Sequence, residues 1–340
     1  MTRNNKVILI TAGDPASIST EITIKAFETK RINDNIKAVV ITDPDLVKEY
    51  QTKFKKNIDI NKLEDKINFS DYKDNCLNII PIKLSNKVKF GKPSVNHFSF
   101  IKSSIVTSVN ICMNSIASGI VTNPINKYMM KKSGFNFGGH TEYLATLSKT
   151  KKNPVMMFVT NELKTLPLTI HVPIARVPKL ITKELIRNKI QVAVIDLIKF
   201  FDIKNPKIAV TGLNPHAGEN GNLGYEEINI IKPTLDELNK EINVSLVGPL
   251  PADTAFCSSK RSQYDLIVCM YHDQALIPIK TLDFFNGVNV TLGLDFIRTS
   301  PDHGTGFDIA GKGIAQSQSM IEAIKTAIEM TKKSRLLNTH

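Results

Sequence analysis

Short runs of apolar, often β-branched residues alternate with amphipathic stretches along the whole 340-residue chain. Lys6–Thr11 (KVILIT), Lys37–Thr42 (KAVVIT), Gly119–Thr122, Val155–Thr160, Leu166–Ile170, Lys207–Thr211 and Leu266–Met270 read as strands. Their nearly unbroken apolar character predicts burial on both faces, the habit of a parallel sheet. Between them the period changes to that of a helix. In Thr182–Phe201 the residues Ile186, Ile190, Ala193, Val194, Leu197 and Phe201 share one helical face, and Thr182 is placed to cap it. A last helix opens with Ser319-Met-Ile-Glu322, which has the form of a capping box, and should bury Ile321, Ile324 and Ile328. Asp45–Asn86 is charged and rich in Lys and Asn, and reads as solvated surface. Strand and helix alternating over this length predict an α/β protein with mainly parallel sheets in two lobes. With no Pro/Ser tether between them, the chain is expected to cross from lobe to lobe more than once.

Composition narrows the class. Hydrophobic residues make up 42% and charged residues 22%, enough for a packed core. No apolar run approaches the ~18 residues that span a bilayer, and Met1-Thr-Arg-Asn-Asn-Lys lacks the apolar stretch of a signal peptide. Cys76, Cys112, Cys257 and Cys269 lie far apart without C-x-x-C spacing, so a reduced, cytoplasmic protein is expected. The net charge is +12, but only seven of the 44 basic residues are Arg. Bidentate reading of bases and phosphates favours Arg, and no aromatic-rich basic motif is present, so neither nucleic acid nor membrane is expected as a partner. A small anionic substrate would use the same positive field.

The histidines carry the chemistry. His171 follows the run Leu166–Ile170, His216 closes the stretch that begins at Lys207, and His272 follows Asp265–Tyr271. Gaps of 45 and 56 residues are too long for a zinc finger but natural for strands joined by helical crossovers. The C-terminal ends of parallel strands line the ligand crevice, so three such imidazoles can share one divalent metal in a catalytic, open site. Asp253, in the Pro-rich loop Gly248–Thr254, and Asp273, beside His272, are candidates for an orienting carboxylate or a general base, as Lys280 is for the base. A second cluster is suited to an anion. His140 and Thr141 follow Gly138-Gly139 and open a helical run whose backbone N–H groups can face a phosphate. Lys280, Asn289 and Arg298 punctuate the segment 278–299. There is neither a P-loop nor a G-x-G-x-x-G after a strand, and Gly218-Glu-Asn-Gly221-Asn-Leu-Gly224 reads equally well as turn chemistry.

Several longer motifs resemble one family. They are Thr211-Gly-Leu-Asn-Pro-His-Ala-Gly-Glu-Asn-Gly221, Met270-Tyr-His-Asp-Gln274, Asn289-Val-Thr-Leu-Gly-Leu294 and Arg298-Thr-Ser-Pro-Asp-His-Gly-Thr305. Gly139-His-Thr-Glu-Tyr-Leu144, Val121-Thr-Asn-Pro-Ile-Asn-Lys127 and Gly248–Thr254 extend the match from about residue 6 to about residue 330. Together they resemble the 4-hydroxythreonine-4-phosphate dehydrogenase family of pyridoxal phosphate biosynthesis. The resemblance implies a two-lobed α/β/α fold similar to isocitrate and isopropylmalate dehydrogenases, here with lobes 1–134 plus 300–340 and 135–299, the second carrying metal and substrate residues. It implies a homodimer with the active site at the subunit interface, NAD or NADP, and one divalent metal (Zn, Mg or Co) per site. The metal ligands would be His171, His216 and His272, and the substrate residues His140, Thr141, Lys280, Asn289 and Arg298. The implied reaction is oxidation of 4-phosphooxy-L-threonine to a 3-oxo acid, which decarboxylates to 3-amino-2-oxopropyl phosphate. A related dehydrogenase of a four-carbon sugar-acid 4-phosphate, of the erythronate or threonate type, is the alternative. The chain departs from the family where G-D-P-A-G-I-G-P-E becomes Gly13-Asp-Pro-Ala-Ser-Ile-Ser-Thr-Glu21. It departs again after Gly91-Lys-Pro-Ser94, where Asn96-His97-Phe98 replaces a stretch that normally holds a further glycine.

Overall fold

A computed structural model describes residues 7–29, 32, 36–150, 152–242 and 244–336. Two compact units emerge: Met1–Thr150 with Leu294–Lys332, and Lys151–Gly293 with Lys333–His340. The first unit contains strands β1 (Val7–Thr11), β2 (Lys37–Thr42), β3 (Ile60–Lys62), β4 (Leu77–Pro81) and β5 (Gly119–Val121). The second contains β6 (Val155–Val159), β7 (Lys164–Pro167), β8 (Lys207–Thr211), β9 (Ser245–Leu250), β10 (Leu266–Cys269) and β11 (Val288–Leu292). The chain then returns to the first unit with β12 (Ile297–Pro301).

In the first unit the strands lie in the order β3-β4-β2-β1-β5-β12, all parallel. Leu9 of β1 sits beside Val39 of β2 and Ile120 of β5, and all three side chains are fully buried. The helix Phe98–Met113 packs on this sheet. Its buried Ser104 hydroxyl accepts from Ala12 N at 2.8 Å and donates to Ile41 O at 2.8 Å, satisfying two backbone groups at the strand ends.

The division between units falls at 150 and 294, not at the 134 and 300 expected from the sequence. Packing explains the shift. Phe135, Tyr143, Leu144, Leu294 and Phe296 are all buried in the core of the first unit, and Phe135 and Tyr143 meet edge-on at 4.8 Å. Asp45–Asn86 also differs from expectation. It supplies β3 and β4, with Leu63, Leu77, Ile79 and Ile80 fully buried. Even Asn78 in this polar stretch is structural: its amide oxygen accepts from Asn61 Nδ2 and Lys73 N, and its Nδ2 donates to Lys73 O.

The second unit has the order β11-β6-β7-β10-β8-β9. β11, β6 and β7 pair antiparallel, whereas β7, β10, β8 and β9 run parallel. The helix Lys183–Phe201 buries all six predicted apolar positions, and the Thr182 hydroxyl accepts from Leu185 N at 3.1 Å as its cap. The C-terminal helix Gln318–Leu336 buries Ile321, Ile324 and Ile328 as read, but Ser319 does not cap it. Its hydroxyl instead accepts from Asp302 N at 3.1 Å, and the helix begins one residue earlier. No helix among the described residues is long and apolar enough to cross a membrane.

Candidate functional site

In the second unit β7, β10 and β8 are neighbours, all parallel, so their C-terminal ends share one edge. His171, His272 and His216 follow those three ends. Leu168 N donates to Cys269 O at 2.7 Å and the Thr169 hydroxyl donates to Met270 O at 2.8 Å, lacing the chain after β7 to the chain after β10. Two residues further on, the rings of His171 and His272 stand with centroids 5.6 Å apart. His171 itself adopts a left-handed backbone, φ 52°. His272 opens the helix His272–Leu282, and its Nδ1 is 2.7 Å from Asp273 Oδ1. A carboxylate there fixes the imidazole tautomer and leaves Nε2 for a ligand.

Gln274 joins the third strand to this pair. Its Oε1 accepts from Met270 N (2.7 Å) and from the Thr211 hydroxyl (2.8 Å), while Nε2 donates to Gly212 O (2.9 Å). One side chain thus ties the ends of β10 and β8 together. Beyond Gly212 the backbone turns left-handed for a run rarely seen in L-residues: φ is 51° at His216, 52° at Ala217, 80° at Gly218, 42° at Glu219, 56° at Asn220 and 96° at Gly221. Each non-glycine residue in that region costs on the order of 1–2 kcal/mol, so this turn must be held by its surroundings. The glycine-rich stretch is therefore no phosphate loop, since the Glu227 carboxylate occupies its hollow.

Among the described residues no three His, Cys, Asp or Glu side chains are gathered into a group able to hold a metal. What the structure brings together is His171 and His272, with Asp273 behind the latter. The donor chemistry of the three imidazoles suits a divalent ion, and all three follow the ends of neighbouring strands, but His216 is not gathered with the other two. Asp253 lies exposed in the short helix Ala252–Ala255, which packs against β8 and the His216 turn. Lys280 lies about two turns along the helix from His272, with Nζ 5.1 Å from the Phe284 ring centre. Asn289 is half-buried on β11.

The anion cluster belongs to the first unit, so the substrate candidates are divided between the two units and are not all in the second, as expected from the sequence. Arg298 on β12 is 4% exposed and donates from Nη2 to the Thr122 hydroxyl at 2.7 Å. Burial lowers its pKa to about 10, opposed by the Glu142 carboxylate. His140 and Thr141 open the helix His140–Ser148. The enclosed Nε2 of His140 has no hydrogen-bond partner. Burial, with the Arg298 and Lys127 charges nearby, pushes the His140 pKa down to about 3. A neutral imidazole, a guanidinium and an ammonium lie close enough to act on one another, and each can donate to a small anion. Sequence reading did not single out Lys127, Thr122, Gln274 or Glu227. The first three lie inside the family motifs, which were their only signal.

The departures in the N-terminal loop turn inward. Ser17, Ser19 and Thr20 are buried. The Ser17 hydroxyl donates to Asp14 O at 2.6 Å and lies 2.7 Å from the Ser19 hydroxyl, which reaches Pro124 O at 3.3 Å. His97 is 2% exposed, with Nδ1 3.6 Å from the buried Asp14 carboxylate. Ser17 and Ser19 therefore pair with each other and with the carbonyls of Asp14 and Pro124, while His97 Nδ1 makes no hydrogen bond among the described residues.

A mainly parallel α/β fold with imidazoles following neighbouring strand ends is the usual setting of an α/β enzyme. The chain belongs to the family of pyridoxal phosphate biosynthetic protein PdxA, whose model matches residues 34–327. It is 43% identical over 331 residues to the 4-hydroxythreonine-4-phosphate dehydrogenase of Caulobacter vibrioides, covering 96% of this chain and 98% of that protein. Crystal structures of enzymes of that name are similar in fold. The one from Klebsiella pneumoniae has a TM-score of 0.86 at 32% identity, covering 96% of this chain and all of the other. The one from Burkholderia phymatum has a TM-score of 0.83 at 35% identity, covering 95% and 98%.

Proposed function

We propose that the chain oxidises the C3 hydroxyl of 4-phosphooxy-L-threonine with NAD or NADP, and that the 3-oxo acid then loses carbon dioxide to give 3-amino-2-oxopropyl phosphate. The observation that carries this reading is three imidazoles on the ends of three neighbouring parallel strands, in a chain related over nearly its whole length to enzymes named for that substrate.

His171, His216 and His272 would hold one divalent ion (Zn, Mg or Co), which when bound supplies Lewis acidity to make the substrate hydroxyl acidic. Asp273 orients His272 through its Nδ1. Asp253, Asp273 and Lys280 are the candidates to take the hydroxyl proton. Arg298, His140, Thr141 and Lys127 supply donors to an anionic end of the substrate, and Lys280 and Asn289 supply further polar contacts. A nicotinamide supplies the hydride acceptor; among the described residues no glycine-rich pyrophosphate turn follows a strand, so no side chain is placed against it. The same likeness supports a cytoplasmic homodimer whose sites draw on both subunits.

A panel of 4-phosphorylated hydroxy acids, followed by nicotinamide reduction, tests the reading. The threonine phosphate is expected to be the best substrate by kcat/KM. Silence with it, together with turnover of an erythronate or threonate phosphate, would overturn the assignment.

A further inference from the structure

We infer that Glu227 is the positioning residue for His216, its carboxylate holding the left-handed turn from which that imidazole projects; the inference rests on the assignment of His216 to the divalent ion. The last backbone rung that ties the end of β8 to β9 is Gly212 N to Leu250 O at 2.8 Å. Beyond it Glu227, only 2% exposed, takes over. Its Oε1 accepts from Leu213 N at 2.7 Å and from Asn214 N at 2.8 Å, and its Oε2 accepts from Asn214 Nδ2 at 3.0 Å. The two residues that lead into Pro215-His216 are thereby fixed by one carboxylate.

The turn also closes around that carboxylate. A Cβ on Gly218 would stand 2.7 Å from Oε2, and one on Gly212 would stand 3.1 Å from Oε1. At Gly218 the Glu227 carboxylate fills the space, and at Gly212 it does so together with the Ala217 backbone, 2.8 Å away. Glu227 in turn opens a single π-helical turn, Glu227–Ile231, an uncommon geometry that aims its side chain back under the loop. The four non-glycine positive-φ sites, two on either side of Gly218, would relax toward right-handed conformations without this support. His216 would then leave the strand in another direction.

The test titrates Co²⁺ alone into the metal-free chain, followed by its visible absorption, for the native protein, E227A, E227Q and H216A, alongside thermal unfolding of each. E227A is expected to weaken Co²⁺ binding at least tenfold, approaching H216A. E227Q keeps an oxygen for both backbone N–H groups and should recover most of the affinity. At saturating Co²⁺ the kcat of E227A should return toward native, as fits a group that acts through His216. Should E227A not fold, E227D, one methylene too short to reach, takes its place with the same expected loss. Equal Co²⁺ affinity in the native and E227A chains, even with a lower melting temperature in the variant, would overturn the positioning role alone. Failure of the native chain to bind Co²⁺ would overturn the ligand assignment of His216, and the inference with it.

Discussion

Arg298 is an expensive residue to keep. A guanidinium buried on a strand carries a desolvation cost, and here burial lowers its pKa to about 10 against the opposing Glu142 carboxylate. The proposed anion gives it a role beyond its bond to the Thr122 hydroxyl. Arg298→Met should therefore leave the melting temperature unchanged or raise it, while raising KM for a phosphorylated substrate at least tenfold. A fall in melting temperature with an unaltered KM would contradict the binding role. His140 makes the complementary case. Its pKa is about 3 in the folded chain against about 6.5 when unfolded, so between those values the unfolded state binds more protons. The neutral ring's contribution is thus complete above pH 6.5 and is lost as pH falls toward 3. In His140→Asn the decline in stability between pH 6.5 and 4 should be shallower than in the native chain, as measured by denaturant unfolding across that range. The sequence identified both residues by type and motif, but not the reason for their chemistry, which is burial and hence a property of the fold.

Elements were legible in proportion to their local contrast. The helix Lys183–Phe201 showed its buried face and its cap because both are written within one 20-residue stretch. Thr182→Ala should cost about 1 kcal/mol, read by chemical denaturation, with kcat and KM unchanged. β3, at the sheet edge, has a single apolar residue, and β4 is only five residues long and set in a stretch rich in Lys and Asn, so neither stands out locally. Ser319 was misread for a related reason. A capping motif gives the hydroxyl's capacity, whereas Asp302, 17 positions away, decides which amide it serves. Likewise the three histidines could be placed at strand ends from sequence, but not the order β7-β10-β8 that makes those strands neighbours. Long-range pairing carried that information.

At the scale of the molecule, the +12 charge is a bias toward Lys distributed along the chain, with no Arg-rich stripe. Its physical effect is a diffuse positive potential that draws small anions at a distance and is screened by salt. KM for a phosphorylated substrate should accordingly rise several-fold between low and physiological ionic strength, with kcat nearly constant. A salt-independent KM would confine the electrostatics to the buried cluster around Arg298.

The serines of the N-terminal loop bear on how easily this chain folds. Neither Ser17 nor Ser19 occupies the left-handed region, so the loop does not require glycine's freedom at either place. Substituting serine for the family's glycines narrows the conformations open to the denatured chain, and the entropy surrendered on folding shrinks by about 0.4–1 kcal/mol at each site. Reverting both to glycine should lower the melting temperature while sparing catalysis. In a polypeptide so rich in lysine and asparagine, that stiffening of a short surface-free loop is a quiet source of durability.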